Sequence, residues 1–267
     1  MSINKISSKQ NKKIKDLNAA KIKKGPWADY VIAEGHRLCD EVLHSDAEIA
    51  AVFLDENLPE HDYIAYIQRA KESFVLPRDL FVSISETKNP QGILLLIEPF
   101  AKASLSELDK LLLKVDFPKN DKKVSLVVLE NVQDPGNLGT ILRTAHAFAY
   151  DAAVLVGDCA RSSSSKVVRS SMGAVFHMPI FELKDSKVVL DWCKENRVII
   201  LATALDGLNL KKYKNDEKFS LWIGNEGNGL SALALNMADY KLTIPMPGGA
   251  ESLNAGIAAG IALYELS

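Results

Sequence analysis

Three short segments bring polar side chains to places where a buried framework has no need of them. One is Ile244-Pro-Met-Pro-Gly-Gly-Ala-Glu-Ser-Leu-Asn254, which runs directly into the apolar stretch 255–266. Its Pro/Gly turn delivers a carboxylate (Glu251), a hydroxyl (Ser252) and a carboxamide (Asn254) to the start of a helix that must be buried, so the three stand on a rigid support. Groups of these types hold and orient a polar ligand by hydrogen bonding. A second segment is Leu221-Trp-Ile-Gly-Asn-Glu-Gly-Asn-Gly229, where glycines and asparagines around Glu226 let the backbone approach a ligand closely. It is neither a Walker loop nor the G-x-G-x-x-G fingerprint, and a glycine-rich turn is its plainer reading. The third is the post-strand segment Glu130-Asn-Val-Gln-Asp-Pro-Gly-Asn137-Leu-Gly139-Thr-Ile-Leu-Arg143. An arginine so near a helix N-terminus can clamp a phosphate; lying off the apolar stripe, it is equally a surface arginine. Asn137 stands where a helix N-cap belongs, as does Ser252 for the last helix, with Asn254 a polar residue of that helix's first turn. The serine run 162–165, with Arg161, Lys166 and Arg169 around it, is either a plain loop or a grip on substrate.

The elements that must position these groups alternate between strand and helix. Val124–Leu129 is a continuous apolar, β-branched run, as expected of a strand buried on both faces. A turn over 133–137 leads into a helix over 138–149, where Leu138, Ile141, Leu142, Ala145, Phe148 and Ala149 keep helical spacing. Further strands are expected over 152–156, 175–180, 198–202, 219–223 and 241–244, with helices over 186–196 and 255–266. Such alternation implies a mostly parallel sheet covered on both faces, with ligands at the carboxyl ends of its strands. All three polar segments fall at such ends. Earlier in the chain, strands over 30–33, 50–54 and 92–97 alternate with helices over 37–43 and 63–71, which suits a small α/β domain. The expected division is 1–100 for this domain, a linker over 101–121 that ends in the polar Pro118–Lys123 stretch, and 122–267 for the larger domain.

Composition narrows the function. At 47% hydrophobic residues, the 267-residue chain can bury a substantial core. The net charge of −2 hides an asymmetry: residues 1–24 hold eight lysines against the single acid Asp16. That arm is either a solvated helix or a grip on a polyanion, most simply a nucleic acid. Cys39, Cys159 and Cys193 have no C-x-x-C spacing, and the five histidines no ligand spacing, which argues against metal and disulfides and for a cytoplasmic protein. There is no signal-peptide pattern and no apolar stretch of membrane-spanning length.

Taken together, the three segments resemble the motifs of the SpoU–TrmH family of RNA ribose 2′-O-methyltransferases, within the SPOUT superfamily. Motif 1 matches Asn137-Leu-Gly139-Thr-Ile-Leu-Arg143-Thr-Ala, motif 2 Ile223-Gly-Asn-Glu226-Gly, and motif 3 the segment Ile244–Asn254. The N-terminal half is similar to the family's L30e-like substrate-binding domain through Ile6–Asn11, Ala33-Glu-Gly-His-Arg37 and Asn89-Pro-Gln-Gly92. Two departures stand out: Pro26-Trp27 replaces a more basic approach to the Glu-Gly segment, and Ala255-Gly256 replaces a common Val-Ser, which should soften the last helix. The resemblance implies an α/β fold with a C-terminal parallel sheet tied in a deep trefoil knot. It implies S-adenosyl-L-methionine as cofactor, held by Gly224, Ile244 and Leu253, and a homodimer. It gives Arg143, Asn137, Glu226, Ser252 and Asn254 the catalytic roles, and an RNA substrate, expected to be ribosomal, contacted by Lys9, Lys12, Lys13, Arg37 and Arg169. Methylation of transfer RNA, or a non-catalytic role in RNA binding or ribosome assembly on the same fold, are the alternatives. A guanidinium stays protonated in proteins, so Arg143 is expected to anchor a phosphate and oppose the developing alkoxide rather than act as base.

Overall fold

The computed structural model describes residues 3–99, 105–114, 124–214 and 217–267. The chain folds as two compact units, Met1–Ala101 with Ser163–His177, and Lys102–Ser162 with Met178–Ser267.

In the first unit, β1 (Asn4–Lys5), α1 (Lys12–Lys21), β2 (Val31–Glu34), α2 (His36–Leu43), β3 (Ile49–Asp55), α3 (Ile64–Arg69), β4 (Glu72–Leu76), α4 (Arg78–Ile84) and β5 (Ile93–Ile97) follow in order. The strands form one mixed sheet in the order β1-β4-β3-β5-β2, in which β5 runs antiparallel to both neighbours. Ile14, Leu17 and Ala20 of α1 and Leu80, Phe81 and Ile84 of α4 pack with Phe53, Phe74, Leu94 and Leu96 in one core. The basic arm is thus an amphipathic helix with one face buried, and several of its lysines have internal partners. Lys13 pairs with Glu72 and lies 5.4 Å from the Trp27 ring centroid, while the Lys21 ammonium donates to the Ile84 carbonyl. Trp27, a departure from the family pattern, therefore packs on this core and carries a cation–π contact.

Residues 163–177 lie in sequence between strands of the second unit's sheet yet belong to the first unit, a placement that a domain boundary at 121/122 does not anticipate. They contain α7 (Ser165–Ser170), whose Val167 and Val168 are buried and which packs against β2, the strand at the end of the sheet. Covering an edge strand removes a template for unwanted pairing. Arg169 donates to Glu86 at 2.9 Å, and His177 Nε2 lies 2.9 Å from Glu41 Oε2. Gly173 has φ 84°, and a Cβ there would meet the Glu41 Cβ at 2.5 Å, so only glycine fits that approach.

In the second unit lie α5 (Leu105–Lys114), β6 (Ser125–Glu130), α6 (Pro135–Ala147), β7 (Ala152–Val156), β8 (Ile180–Leu183), α8 (Ser186–Glu195), β9 (Ile199–Asn209), β10 (Phe219–Ile223), α9 (Ala232–Met237), β11 (Tyr240–Thr243) and α10 (Ala255–Glu265). The six strands are all parallel, in the order β11-β9-β10-β6-β7-β8, and the protein is α/β as expected. Leu126 and Val128, Val154 and Val156, Ile200 and Ala202, and Trp222 build one core with α8 and α9. Of the expected linker, 105–114 form α5, which donates Leu108 to this core; 101–104 and 115–121, with Lys122 and Lys123 beyond, lie outside the described residues.

Several expectations are corrected. No strand spans 175–180: Ala174–Phe176 form a 3-10 turn after Gly173, and β8 starts at Ile180, since Pro179 has no N–H to give the ladder. The helix expected from 138 begins at Pro135, because proline suits a first helical position and Asp134 caps it. β9 runs to Asn209 rather than 202, and its ladder with β11 jumps from Ala202 to Leu208, so residues 203–207 loop out.

Candidate active site

The three motifs meet at the carboxyl ends of β6, β10 and β11. Asp134 is the N-cap of α6 and accepts the Asn137 N–H at 2.8 Å, which places Asn137 in the helix's first turn and not at the cap. Asn254, not Ser252, caps α10: its Oδ1 accepts the N–H groups of Gly256 at 2.9 Å and Ile257 at 3.3 Å. The Nδ2 of Asn254 then donates to Asn137 Oδ1 at 3.0 Å, and Asn137 Nδ2 donates to Glu226 Oε1 at 3.0 Å. One hydrogen-bonded line therefore passes through one residue of each motif.

The loop after β10 is closed on itself. Asn225 and Gly229 exchange backbone hydrogen bonds of 3.0 and 2.9 Å, and Asn225 Oδ1 accepts from Gly227 and Asn228. A Cβ on Gly224 would lie 2.1 Å from the Gly229 carbonyl carbon, so a side chain there would force the loop open. Burial pushes the Glu226 carboxyl up, but hydrogen bonds from Asn137 and from the backbone of Glu226 itself, Asp134 and Gln133 outweigh it and hold its pKa below the usual carboxylate value.

α10 lies against α6, and Gly256 explains its own departure from the family pattern. A Cβ there would crowd the capping Asn254 Oδ1 at 3.2 Å, while Asn137 Oδ1 and Thr140 Cγ2 at 3.5 Å would be ordinary contacts, so glycine relieves the cap of α10. Gly260, one turn on, faces Thr144, and a Cβ there would meet its Cγ2 at an ordinary 3.9 Å.

The remaining expected residues fall into two groups. Arg143 is exposed on α6 and Ser252 is exposed just before α10, and neither side chain has a hydrogen bond or ion pair among the described residues. They are not part of the line. Lys9, Lys12, Lys13, Arg37 and Arg169 all belong to the first unit. Lys9, Lys12 and Arg37 are exposed, while Lys13 and Arg169 are engaged by Glu72 and Glu86. Sequence reasoning missed Asp134, although an aspartate directly before proline at a helix start is a capping signal. It also missed the looped-out 203–207 of β9, which carries no motif.

The carboxyl edge suits S-adenosyl-L-methionine. Leu205 is 74% exposed there, Leu208 and Leu253 are also exposed, and Gly229, Gly248 and Gly249 have nothing within 4 Å of a would-be Cβ. Apolar side chains beside bare backbone fit a purine and its sugar, with Gly224, Ile244 and Leu253 on the loops concerned. Among the described residues, no three His, Cys, Asp or Glu side chains are grouped to hold a metal. All three cysteines are free, and burial pushes each thiol's pKa up, so none is poised as a nucleophile. No helix among the described residues is long and apolar enough to cross a membrane.

A depressed carboxyl has a consequence for acid stability. Glu226 stabilises the fold above its unfolded-state pKa of about 4.3, and that contribution disappears as pH falls through the lower folded value. In urea unfolding, Glu226→Gln should lie below the wild type at pH 7, and the gap should close as pH falls below the unfolded value and through the folded one; a gap that widens in acid would show that the carboxyl is not held down.

Comparison with known proteins agrees with this geometry. Residues 125–264 match the SpoU rRNA Methylase family, and residues 11–95 match the MRM3-like substrate binding domain. The chain is 33% identical, over 98% of both sequences, to the 23S rRNA (guanosine(2553)-2′-O)-methyltransferase RlmP of Bacillus subtilis. A structure of an AdoMet-bound rRNA methyltransferase from Sinorhizobium meliloti superposes with a TM-score of 0.84 at 27% identity, covering 98% of this chain and 97% of that one. The fold is shared with the SpoU methyltransferase AviRb of Streptomyces viridochromogenes, TM-score 0.79 at 24% identity, covering 96% of each chain. This chain belongs to the SpoU rRNA methylase family and is an S-adenosyl-L-methionine-dependent RNA ribose 2′-O-methyltransferase.

Proposed function

We propose that this chain methylates a guanosine 2′-hydroxyl of 23S ribosomal RNA, in the cytoplasm, at the position named for its Bacillus subtilis relative. The observation that carries the catalytic part is the unbroken line Asn254–Asn137–Glu226 with Arg143 and Ser252 left unengaged beside it. S-adenosyl-L-methionine supplies an electrophilic methyl group on a sulfonium. Gly224, Ile244 and Leu253 hold it through their backbone, on the loops at the end of the sheet. Arg143, permanently cationic, anchors a phosphate next to the reacting ribose and opposes negative charge growing on the 2′ oxygen. Ser252 hydrogen-bonds the ribose or the guanidinium. Asn137, Asn254 and Glu226 fix the framework on which both stand. Positioning of this kind supplies roughly 7–11 kcal/mol of a barrier. The trefoil knot of the family belongs to the same reading, with the looped-out 203–207 and the 244–254 segment as its crossing loops.

Mapping alkali-resistant bonds in 23S RNA from cells with and without the protein tests this. The resistant bond should follow one guanosine and vanish in Arg143→Ala and Asn137→Ala, which should lose about 100-fold or more in rate while still binding cofactor. A methyl found in transfer RNA would redirect the substrate, and near-normal turnover by Arg143→Ala would remove the arginine from the mechanism.

RNA contact falls to the exposed cations of the first unit. Lys9, Lys12, Lys15 and Arg37 have no side-chain partner among the described residues, whereas Lys13 and Arg169 must leave theirs to reach a phosphate. Replacing Lys9, Lys12 and Lys15 by glutamine should reduce the slope of log K against log salt by about 2–3; an unchanged slope would place the phosphates elsewhere.

The chain acts as a homodimer in this reading. Ile257 is 57% and Tyr264 64% exposed on α10, in a row with the exposed Leu253 and Ile261, while the opposite face of the helix is buried. An apolar stripe beside a polar site marks a protein contact. Ile257→Asp should convert a sedimenting dimer to monomer; a wild-type monomer at micromolar concentration would refute it.

A further inference from the structure

One buried group outside the three motifs fastens the loop that carries motif 2. Glu130 ends β6 and is 1% exposed. Its Oε2 accepts the backbone N–H of Ser231 at 2.7 Å, its Oε1 accepts the Ser231 hydroxyl at 2.9 Å, and the Ser186 hydroxyl donates to the same Oε1. Ser231 is the N-cap of α9 and closes the loop that begins at Gly224. The other end of that loop is tied one residue along: Asn225 Nδ2 donates to the Asn131 carbonyl at 2.9 Å. Asn131 is itself held, at φ 57°, by donating its N–H to Val156 and accepting from the Asp158 N–H. Both ends of the motif 2 loop are thus pinned to consecutive residues at the exit of β6, and Glu226 in its middle is pinned to α6.

We propose that Glu130 is a positioning residue for methyl transfer, acting through Ser231 on the loop 224–231 without touching donor or ribose. The proposal rests on the reading of Gly224 and Glu226 given above. Its physical basis is reach and acceptor count more than charge. A carboxylate offers only acceptors, and here the donors are one N–H and two hydroxyls. Glutamine keeps the reach and a carbonyl for the Ser231 N–H, while its N–H groups make the two hydroxyls accept and leave their protons to turn elsewhere, so it restores part of the fit. Aspartate is one methylene short of that span. Alanine strands a buried N–H, so the loop must move to satisfy it.

Glu130→Gln, Glu130→Asp, Glu130→Ala and Ser231→Ala test this by amide hydrogen exchange of the ligand-free protein and by calorimetric titration with S-adenosyl-L-methionine, well below each melting temperature. Glu130→Ala and Glu130→Asp should speed exchange over 225–231, leave 31–97 unchanged, and weaken cofactor binding by about 10-fold, the order set by one donor left without its acceptor. Glu130→Gln should restore both towards wild type. Ser231→Ala keeps the N–H bond and should give a smaller effect in the same direction; it decides the matter should Glu130→Ala not fold. Wild-type exchange and affinity in Glu130→Ala would overturn the proposal, as would exchange quickened evenly over the whole sheet with cofactor binding intact. Failure of the wild type to bind cofactor would overturn the site reading instead, and the exchange pattern would still judge the anchor.

Discussion

A carboxamide has an oxygen that only accepts hydrogen bonds and a nitrogen that only donates them, and that asymmetry governs how the three motifs can be joined. Asn254 uses its oxygen on the open N–H groups at the start of α10, so its nitrogen must face away. Asn137 meets it with oxygen and is left with nitrogen to offer. The next partner must accept, and Glu226 is a carboxylate whose pKa is held down by the Asn137 amide and nearby backbone N–H groups. The series amide, amide, carboxylate thus permits a single orientation from a helix end to a glycine-rich loop. Three segments far apart in the chain are locked into one register by it.

That lock has a packing requirement and a chemical result. The requirement is that α10 be capped by Asn254 where it lies against α6, and Gly256 leaves room for the capping oxygen. Read from the sequence, Gly256 is a cost in helix propensity; in the fold it spares the Asn254 oxygen a crowded contact. The result is a division of labour. Side chains in the line are hydrogen-bonded to one another, whereas Arg143 and Ser252, just outside it, have no side-chain partner among the described residues. In the reading proposed above, such preorganised groups need no rearrangement at the moment of reaction.

The parallel sheet was legible because strands buried on both faces must be continuous apolar runs: 152–156 and 219–223 coincide with β7 and β10 to the residue. Legibility failed where tertiary context overrides local pattern. Val175 is apolar and β-branched, yet it lies in a tight turn fixed by Gly173 against Glu41. The extension of β9 past Ala202 depends on a partner strand far along the chain and leaves only a polar-apolar mixture in the sequence. At the site, residue types and motif spacing singled out Asn137, Glu226 and Asn254, but their connectivity spans separations of 89 and 117 residues and has no local signature. The capping roles were misassigned for a related reason. Several polar residues near each helix start could cap, and backbone conformation chooses among them.

Charge is a further quantity that sequence overstates and structure refines. The lysines of the N-terminal arm look equivalent in composition, but α1 buries Ile14, Leu17 and Ala20, and this fixes which of them face water. Lys5, Lys13 and Lys21 are turned to Glu56, Glu72 and the Ile84 carbonyl, the first of these pairs being exposed to solvent. Lys9, Lys12, Lys15 and Lys24 remain exposed without a side-chain partner among the described residues. Ordering the backbone under these cations lowers the entropy lost when they meet a phosphate, because only side-chain freedom is then surrendered. In the reading proposed above, a packed helix presenting Lys12 and Lys15, with Lys9 in the turn before it, would hold RNA in a definite orientation where a flexible tail of higher formal charge would only attract it.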